Sequence, residues 1–187
     1  MIVAFIRHGQ TDWNAQGLLQ GSSDIPLNDV GRAQAEELIG MLASAGSWSA
    51  VVSSPLARAR ESARIIADGL GIELGPSYED LVERDYGPLE GTPADDAIAA
   101  HPSRDYPGAE PLSSVKTRGV RALEQIADDF PRGDLIIVSH GTLIRYTLEK
   151  IAGRAFESIA NGAISVARSE GDGDWDVLTV NGHPVDS

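Results

Sequence analysis

Two histidines of this sequence stand in the same local setting. His8 follows an apolar run and precedes a glycine in FIRHGQT, and His140 does the same in LIIVSHGTL. Arg7 stands directly before His8. A neutral imidazole can act as a nucleophile or a proton carrier, and a guanidinium binds oxyanions through paired hydrogen bonds. These residue types therefore predict a site that acts on an anionic group.

Another candidate anion-binding residue is Arg58, in the stretch SSPLARARESA. Ser54 and Pro55 predict a helix start, with the serine as cap and the proline as first helical residue. Arg58 would then lie in the first turns, where free backbone N–H groups favour an anion. Each charge-assisted hydrogen bond contributes roughly 1.5–3 kcal/mol, so several together can hold a phosphoryl group without a metal ion. Arg60 and Arg64 are interpreted as a solvated helix face.

The elements that must position these residues alternate along the chain. Apolar runs predict strands buried on both faces at 2–6, 50–52 and 135–138. Amphipathic patterns predict helices at 28–45, 56–70, 115–130 and 143–151, and a turn rich in Gly and Asp predicts a terminal hairpin over 163–180. The alternation predicts an α/β sandwich with a mostly parallel central sheet. Ligands bind outside the carboxyl ends of such strands, which is where both histidines fall.

The segment 78–114 differs from the rest of the chain. It contains five prolines and little periodicity beyond a short helix at 94–100. We interpret it as a lid or insertion over one end of the sheet. A chain of 187 residues suits one domain, so residues 1–187 are predicted to form a single domain that includes this lid.

The composition limits the classes of partner. The formal net charge is -13, and an overall negative field repels nucleic acid and anionic membranes. There are no cysteines, and the apolar start is far shorter than the ~18 residues of a membrane span. We therefore expect a cytoplasmic protein that binds neither nucleic acid nor a membrane.

Five blocks of the sequence together resemble one known family. They are RHGQTDWN, GSSDIPLNDVGRAQA, SSPLARARESA, ERDYGPLEG and VSHG. In this order they resemble the histidine phosphatase superfamily, the phosphoglycerate-mutase-like proteins. The resemblance implies a three-layer α/β/α sandwich and an active enzyme that forms a phosphohistidine on His8. It also implies that Glu83, the first acidic residue of ERDYG, is the general acid.

The resemblance implies two overlapping sets of site residues. The catalytic set is Arg7, His8, Arg58, Glu83 and His140. The charge on the equatorial oxygens during phosphoryl transfer leads us to expect that His140 is protonated. The set that binds the phosphate is Arg7, Asn14, Gly21, Arg58, His140 and Gly141. No metal ion or other cofactor is expected, the expected partner is a small phosphomonoester, and a homodimer is left open.

The catalytic residues do not separate the phosphatases of this family from its mutases. Family mutases carry a longer insertion with paired arginines, whereas the segment 83–114 is short and has only Arg84 and Arg104 as cations. This favours a phosphatase, with a cofactor-dependent phosphoglycerate mutase as the alternative. A phospho-ligand binder without activity is a weaker alternative, because binding requires neither His8 nor Glu83. The alcohol of the substrate is left open.

Two sets of aspartates are assigned no role in catalysis. Asp95, Asp96 and Asp105 are expected to disfavour a second anionic group on the substrate. The turn at 172–176 has the aspartate spacing that starts a calcium loop but lacks the glycine and the glutamate of such a loop. It is therefore interpreted as a hairpin turn.

Overall fold

A seven-stranded sheet forms the centre of the computed structural model, which describes residues 1–171 and 173–186. Its strands are β1 (Ile2–Arg7), β2 (Trp48–Ser53), β3 (Glu73–Ser77), β4 (Asp134–Ser139), β5 (Ile164–Gly171), β6 (Asp174–Val180) and β7 (His183–Pro184). They lie in the order β3-β2-β4-β1-β5-β6-β7. Strands β1 to β4 are parallel, and β5 to β7 extend the sheet in antiparallel pairs. The prediction of an α/β sandwich with a mostly parallel sheet is confirmed.

Helices cover both faces of this sheet. They are α1 (Asp12–Ala15), α2 (Asp29–Ala45), α3 (Ala57–Leu70), α4 (Ala94–Ala100), α5 (Leu112–Asp129) and α6 (Gly141–Ala152). Helices α2 and α3 bury apolar side chains such as Leu38 and Ile66 against one face. Helices α5 and α6 bury Leu123 and Leu148 against the other face. Two apolar layers therefore fix the sheet from both sides, which gives the three-layer arrangement.

The predicted helix start at Ser54 and Pro55 is wrong. Helix α3 begins at Ala57, and its N-cap, Leu56, makes no side-chain capping bond. The Ser54 hydroxyl accepts the N–H of this N-cap residue at 3.3 Å, ahead of the helix, and it lies 2.8 Å from Nε2 of His140. The short strand β3 was not predicted, because Gly75 and Pro76 interrupt it; proline is tolerated there since β3 is an edge strand.

Three neighbouring strands end side by side at the carboxyl edge of the sheet. The register pairs Arg7 of β1 with Ser139 of β4, and Ser53 of β2 with Val138 of β4. The next residue after each strand therefore emerges at the same edge. One further backbone bond at this edge, from the N–H of His8 to the Ser139 carbonyl, measures 3.0 Å. The sequence units that carried the two histidines are thus adjacent in space.

The segment 78–114 packs across this edge through polar contacts. The Tyr86 hydroxyl lies 2.6 Å from the Thr142 hydroxyl at the start of α6. Arg84 is fully buried and donates to the carbonyls of Glu110 and Arg104, at 2.7 and 2.9 Å.

Within the described residues, no helix is long and apolar enough to cross a membrane.

Candidate active site

A cavity of about 360 Å³ opens at the carboxyl edge of β1, β2 and β4. The residues at its deep end include Arg7, His8, Asn14, Gly21, Arg58, Glu83 and Gly141. Seven of the eight residues predicted for the site therefore line one cavity. The eighth, His140, lies behind His8, where the two ring centroids are 5.1 Å apart in an edge-to-face arrangement.

The imidazole of His8 is held in a single orientation. Its Nδ1 lies 2.6 Å from the carbonyl oxygen of Gly9, so Nδ1 carries the proton and donates it. Its Nε2 then has a free lone pair, which accepts a hydrogen bond from Nε of Arg58 at 3.2 Å. Burial, followed by the charges of Arg7 and Arg58, lowers the pKa of His8 well below its usual value. The ring is therefore neutral, and Nε2 carries its unprotonated lone pair.

The second histidine, His140, is completely buried. Burial first, and then the charges of Arg58 and other neighbours, lower the pKa of His140 well below its usual value. The expectation of a protonated His140 is therefore wrong for this structure, because the desolvation and the nearby guanidiniums oppose a third positive charge. If the Ser54 hydroxyl donates to Nε2, the neutral ring carries its proton on Nδ1. This atom has no hydrogen-bond partner among the described residues.

The two arginines of the deep end are fixed by backbone carbonyls. Nη1 of Arg7 donates to the Ile159 carbonyl at 2.6 Å, and its buried Nε has no partner among the described residues. Both Nη atoms of Arg58 donate to carbonyls, those of Ser23 and Gly21, each at 2.7 Å. Burial lowers the pKa of both arginines, but a guanidinium stays protonated in proteins. Two oriented positive charges thus flank His8.

The Glu83 carboxylate is anchored on the N-terminus of α6. Its Oε1 accepts the N–H groups of Leu143 and Arg84, at 3.1 and 2.8 Å. Among the described residues, its Oε2 accepts only the N–H of Thr142, at 3.0 Å. Oε2 therefore keeps an acceptor position open, and this position can carry a proton. The side chain is only 9% exposed, so its solvent contact is small.

Gly21 and Gly141 contribute close backbone approaches. Gly21 has φ +56, and a Cβ there would lie 2.1 Å from Oε1 of Glu90. Glu90 accepts hydrogen bonds from the N–H groups of Ser22 and Ser23 and so fixes the loop that contains Gly21. A Cβ at Gly141 would lie 3.2 Å from Nε of Arg7. Larger residues at either position would therefore displace groups that line the cavity.

Asn14 is oriented by a residue that sequence reasoning missed. Asn161 donates from Nδ2 to Oδ1 of Asn14 at 3.2 Å and to the His8 carbonyl at 3.1 Å. The Thr11 N–H also donates to Oδ1 of Asn14, at 3.1 Å. Since Oδ1 is the acceptor in these bonds, the Nδ2 donor of Asn14 is directed elsewhere. Asn161 belongs to none of the five motifs and lies 153 positions from His8, so no local pattern could have identified it.

The structure gives the burial and contacts of the other charged residues that the sequence analysis interpreted. Arg60 is not a fully solvated residue, because its Nη1 donates to the Gly75 carbonyl of β3 at 2.8 Å. Arg64 is exposed, as expected. Arg84 is occupied by backbone carbonyls and is not a free cation. Asp96 and the neighbouring Asp95, as well as Asp105, are exposed and do not line the cavity. Their expected effect on a second anionic group stays a prediction.

The hairpin turn predicted at 172–176 includes residue 172, which lies outside the described residues. Strand β5 ends at Gly171 and β6 begins at Asp174, and the two pair antiparallel as a hairpin requires. Among residues 1–171 and 173–186, no three His, Cys, Asp or Glu side chains are grouped so that they could hold a metal ion.

Comparisons with known proteins agree with the fold and identify the family. The family model described as histidine phosphatase superfamily (branch 1) matches residues 3–182. A Bacillus subtilis protein named uncharacterized phosphatase PhoE is 38% identical over 151 residues, which cover 81% of this chain and 77% of that protein. Phosphoglycerate mutase-like protein 4 of Arabidopsis thaliana is 34% identical over 180 residues, which cover 89% of this chain and 78% of that protein.

A solved structure shares the fold. The mycobacterial glucosyl-3-phosphoglycerate phosphatase superposes with a TM-score of 0.85 at 21% identity, covering 95% of this chain and 97% of that one. The chain belongs to the histidine phosphatase superfamily. Because its relatives include proteins named as phosphatases, the family assignment supports a hydrolase.

Proposed function

We propose that this protein is a metal-independent phosphatase that hydrolyses a small phosphomonoester through a phosphohistidine on His8. The observation that carries the proposal is the tautomer of His8. Its Nδ1 donates to the Gly9 carbonyl, which leaves the Nε2 lone pair between two guanidiniums. A neutral, oriented imidazole beside paired arginines is what nucleophilic attack on a phosphate requires.

In the first step, Nε2 of His8 attacks phosphorus and the bond from phosphorus to the alcohol oxygen breaks. The Arg58 Nε must then exchange its bond to Nε2 for a bond to a phosphoryl oxygen. Glu83 donates the proton from Oε2 to the leaving oxygen, so the alcohol departs neutral. The phosphoryl group remains on Nε2.

The charge of the transferred group is stabilised by the side chains around it. Arg7 and Arg58 contribute fixed positive charge, and Asn14 contributes its Nδ2 donor. The neutral His140 can donate from Nδ1, which has no hydrogen-bond partner within the described residues. A phosphoryl oxygen would supply that partner. No protonation of His140 is needed for this role.

In the second step, water attacks the phosphohistidine. Glu83, now ionised, accepts the proton of that water through Oε2. The bond from phosphorus to Nε2 breaks, phosphate leaves, and the lone pair of His8 is restored. One carboxylate thus acts as acid and then as base.

The expectations about the lid, the domain organisation, the cellular location and the oligomeric state stay predictions. We propose that residues 78–114 act as a lid, which is supported by the presence of Glu83, Tyr86 and Tyr106 among the residues that line the cavity. The single domain over 1–187, the cytoplasmic location and the homodimer remain predictions.

The mutase alternative keeps some support, because one relative is named a phosphoglycerate mutase-like protein. A mutase must retain its phosphohistidine until a second phosphorylated compound binds. Incubation with 3-phosphoglycerate and 2,3-bisphosphoglycerate tests this directly. Release of inorganic phosphate is the expected result, and rapid formation of 2-phosphoglycerate would instead assign the mutase.

The phosphatase is tested with p-nitrophenyl phosphate in the presence of EDTA. The wild-type protein should release nitrophenolate at a rate that EDTA does not change, and His8→Asn should reduce kcat at least about 100-fold, as loss of a nucleophile requires. Arg64→Gln, on the exposed side of α3, is the matched control and should retain wild-type kcat. Activity that disappears with EDTA, or that persists in His8→Asn, would contradict the mechanism.

A further inference from the structure

The hydroxyl of Ser54 is a buried polar group that the mechanism above does not use. Ser54 directly follows strand β2 and is fully buried, as is His140. The backbone N–H of Ser54 donates at 3.0 Å to the carbonyl of Val138 in β4, the strand that His140 follows. The serine is therefore fixed against the strand that positions the second histidine.

The Ser54 hydroxyl makes two hydrogen-bond contacts among the described residues. Its Oγ accepts the backbone N–H of Leu56 at 3.3 Å, and it lies 2.8 Å from Nε2 of His140. A hydroxyl has one proton to donate, and the Leu56 N–H, as a donor, cannot accept it. Within the described residues, Nε2 of His140 is therefore the acceptor for the Ser54 proton. Buried polar groups are nearly always hydrogen-bonded, so a bond donated by Ser54 to Nε2 satisfies both atoms.

The two neutral tautomers of His140 differ in the number of buried groups that they leave unpaired. With the proton on Nδ1, Ser54 donates to Nε2, and the Nδ1–H group alone lacks a partner among the described residues. With the proton on Nε2, that N–H would donate to Ser54, and both the serine proton and the Nδ1 lone pair would lack a partner. The hydrogen-bond count thus favours the Nδ1–H tautomer.

The tautomer matters for the proposed reaction because of where His140 lies. Its ring is adjacent to the ring of His8, with the two centroids 5.1 Å apart. A phosphoryl group on Nε2 of His8 carries negative charge on its oxygens. An N–H group on the neighbouring ring stabilises that charge, whereas a nitrogen lone pair in the same place would repel it.

We propose that Ser54 is a positioning residue that holds His140 in the Nδ1–H tautomer, so that Nδ1 can donate to a phosphoryl oxygen. The role of this donor rests on the phosphatase mechanism above, but the tautomer itself can be measured without turnover. Ser54 is not among the residues that line the cavity, so it acts on the substrate through His140.

The test combines imidazole nitrogen NMR spectra of the isotope-labelled protein with kinetics. The spectra distinguish a protonated ring nitrogen from an unprotonated one, and the signals of His140 are those that disappear in His140→Asn. In the wild type, Nδ1 of His140 should be protonated and Nε2 should not. Ser54→Ala should give a mixture of the two tautomers. Because only the Nδ1–H form can donate, kcat/KM for p-nitrophenyl phosphate should fall at least in proportion, about fivefold if one fifth of that form remains.

Ser53→Ala is the matched control. Ser53 is an equally buried serine one position earlier, and its hydroxyl accepts Nη1 of Arg60 at 3.3 Å instead of contacting a histidine. The control removes the same atom from the same strand end, so it should keep both the Nδ1–H tautomer and the wild-type kcat/KM. Inorganic phosphate added to the wild type should shift the Nδ1–H signal of His140, because this group then gains a charged acceptor.

The outcomes distinguish this inference from the phosphatase function. A wild-type His140 that is protonated on Nε2 overturns the inference, and so does a wild-type spectrum in Ser54→Ala. If kcat/KM falls in Ser54→Ala while the tautomer is unchanged, Ser54 has only a structural role at the start of α3, and the inference is again wrong. An Nδ1–H signal that does not respond to phosphate overturns the donor role. Absence of p-nitrophenyl phosphate hydrolysis by the wild type overturns the phosphatase function, and the donor role with it, whatever the tautomer.

Discussion

At the scale of single residues, the proposed chemistry depends on which ring nitrogen of His8 carries the proton. The sequence predicted a nucleophilic histidine beside an arginine but could not assign the nitrogen, because the tautomer is set by the Gly9 carbonyl. Packing also affects the protonation state of His140. Burial, followed by the charges of Arg58 and other neighbours, lowers the pKa of His140 and favours a neutral ring, whereas the charge of the transferred group led us to expect a protonated one.

The two buried histidines should make stability depend on pH. The pKa values of His8 and His140 are lowered in the folded protein, whereas an unfolded histidine titrates at about 6.5. Below about pH 6.5 the unfolded chain therefore binds protons that the folded protein does not bind. The free energy of unfolding should fall as the pH is lowered from about 7 to 5.5, with a slope of up to about 1.4 kcal/mol per pH unit for each histidine.

Chemical denaturation over this pH range measures that slope. His140→Asn should reduce the slope by the contribution of one histidine. His183→Gln, at an exposed position of β7, should leave the slope unchanged. The lowered pKa values of Glu90 and Glu110 act below this range, because a carboxylate titrates near 4.5. A slope that is the same in the wild type and in His140→Asn would contradict the neutral, buried state of His140.

At the scale of elements, the strands and helices that carry the motifs were predicted because each pattern is local. Apolar runs marked β1, β2 and β4, and Asn28 marked the start of α2, where its side chain accepts the Gly31 N–H at 2.9 Å. Contacts between distant elements could not be predicted in this way. Arg118 of α5 is an example, since it reaches the segment around Glu83 from 35 positions away.

Arg118 acts on Glu83 through the backbone. Its guanidinium donates to the carbonyls of Val82 and Glu83, at 2.6 and 3.1 Å, and to both carboxylate oxygens of Glu110, at 2.8 and 2.9 Å. The side chain is 9% exposed, so these bonds are shielded from water. Helix α5 thereby fixes the main chain of Glu83, while the N-terminus of α6 fixes its carboxylate. Arg118 is a positioning residue for the proposed general acid.

Replacement of Arg118 by lysine should therefore affect proton transfer to the leaving group. Arg118→Lys keeps the charge but cannot reach all of these acceptors at once. We expect kcat to fall about tenfold more for glycerol 3-phosphate than for p-nitrophenyl phosphate, because an alkoxide needs a proton to leave and nitrophenolate does not. Glu83→Gln should show the same selectivity more strongly.

A merely structural role for Arg118 predicts a different result. If the variant only loosens the fold, the thermal midpoint falls and both substrates lose activity by the same factor. Glu110→Gln, which keeps the shape of the partner but weakens the ion pair, is the second variant. Equal losses for both substrates in both variants would rule out positioning of Glu83.

At the scale of the whole molecule, the fold concentrates positive charge in a strongly acidic chain. The sequence has 28 Asp and Glu against 15 Lys and Arg, yet arginines from β1 and α3 meet at the deep end of one cavity. The net charge could be read from the composition, but its local reversal could not, since it depends on which strands are neighbours. The order β2-β4-β1 brings Arg58, His140 and His8 together.

Because two guanidiniums converge on His8, the proposed mechanism depends on a phosphohistidine at this residue. Rapid quenching with base during turnover of a phosphomonoester, followed by mass spectrometry of the protein fragments, detects this intermediate. We expect one acid-labile phosphoryl group on His8 in the wild type and in Arg64→Gln, and none in His8→Asn. A phosphoryl group on another residue, or steady turnover with no phosphorylated protein under conditions that preserve phosphohistidine, would contradict it.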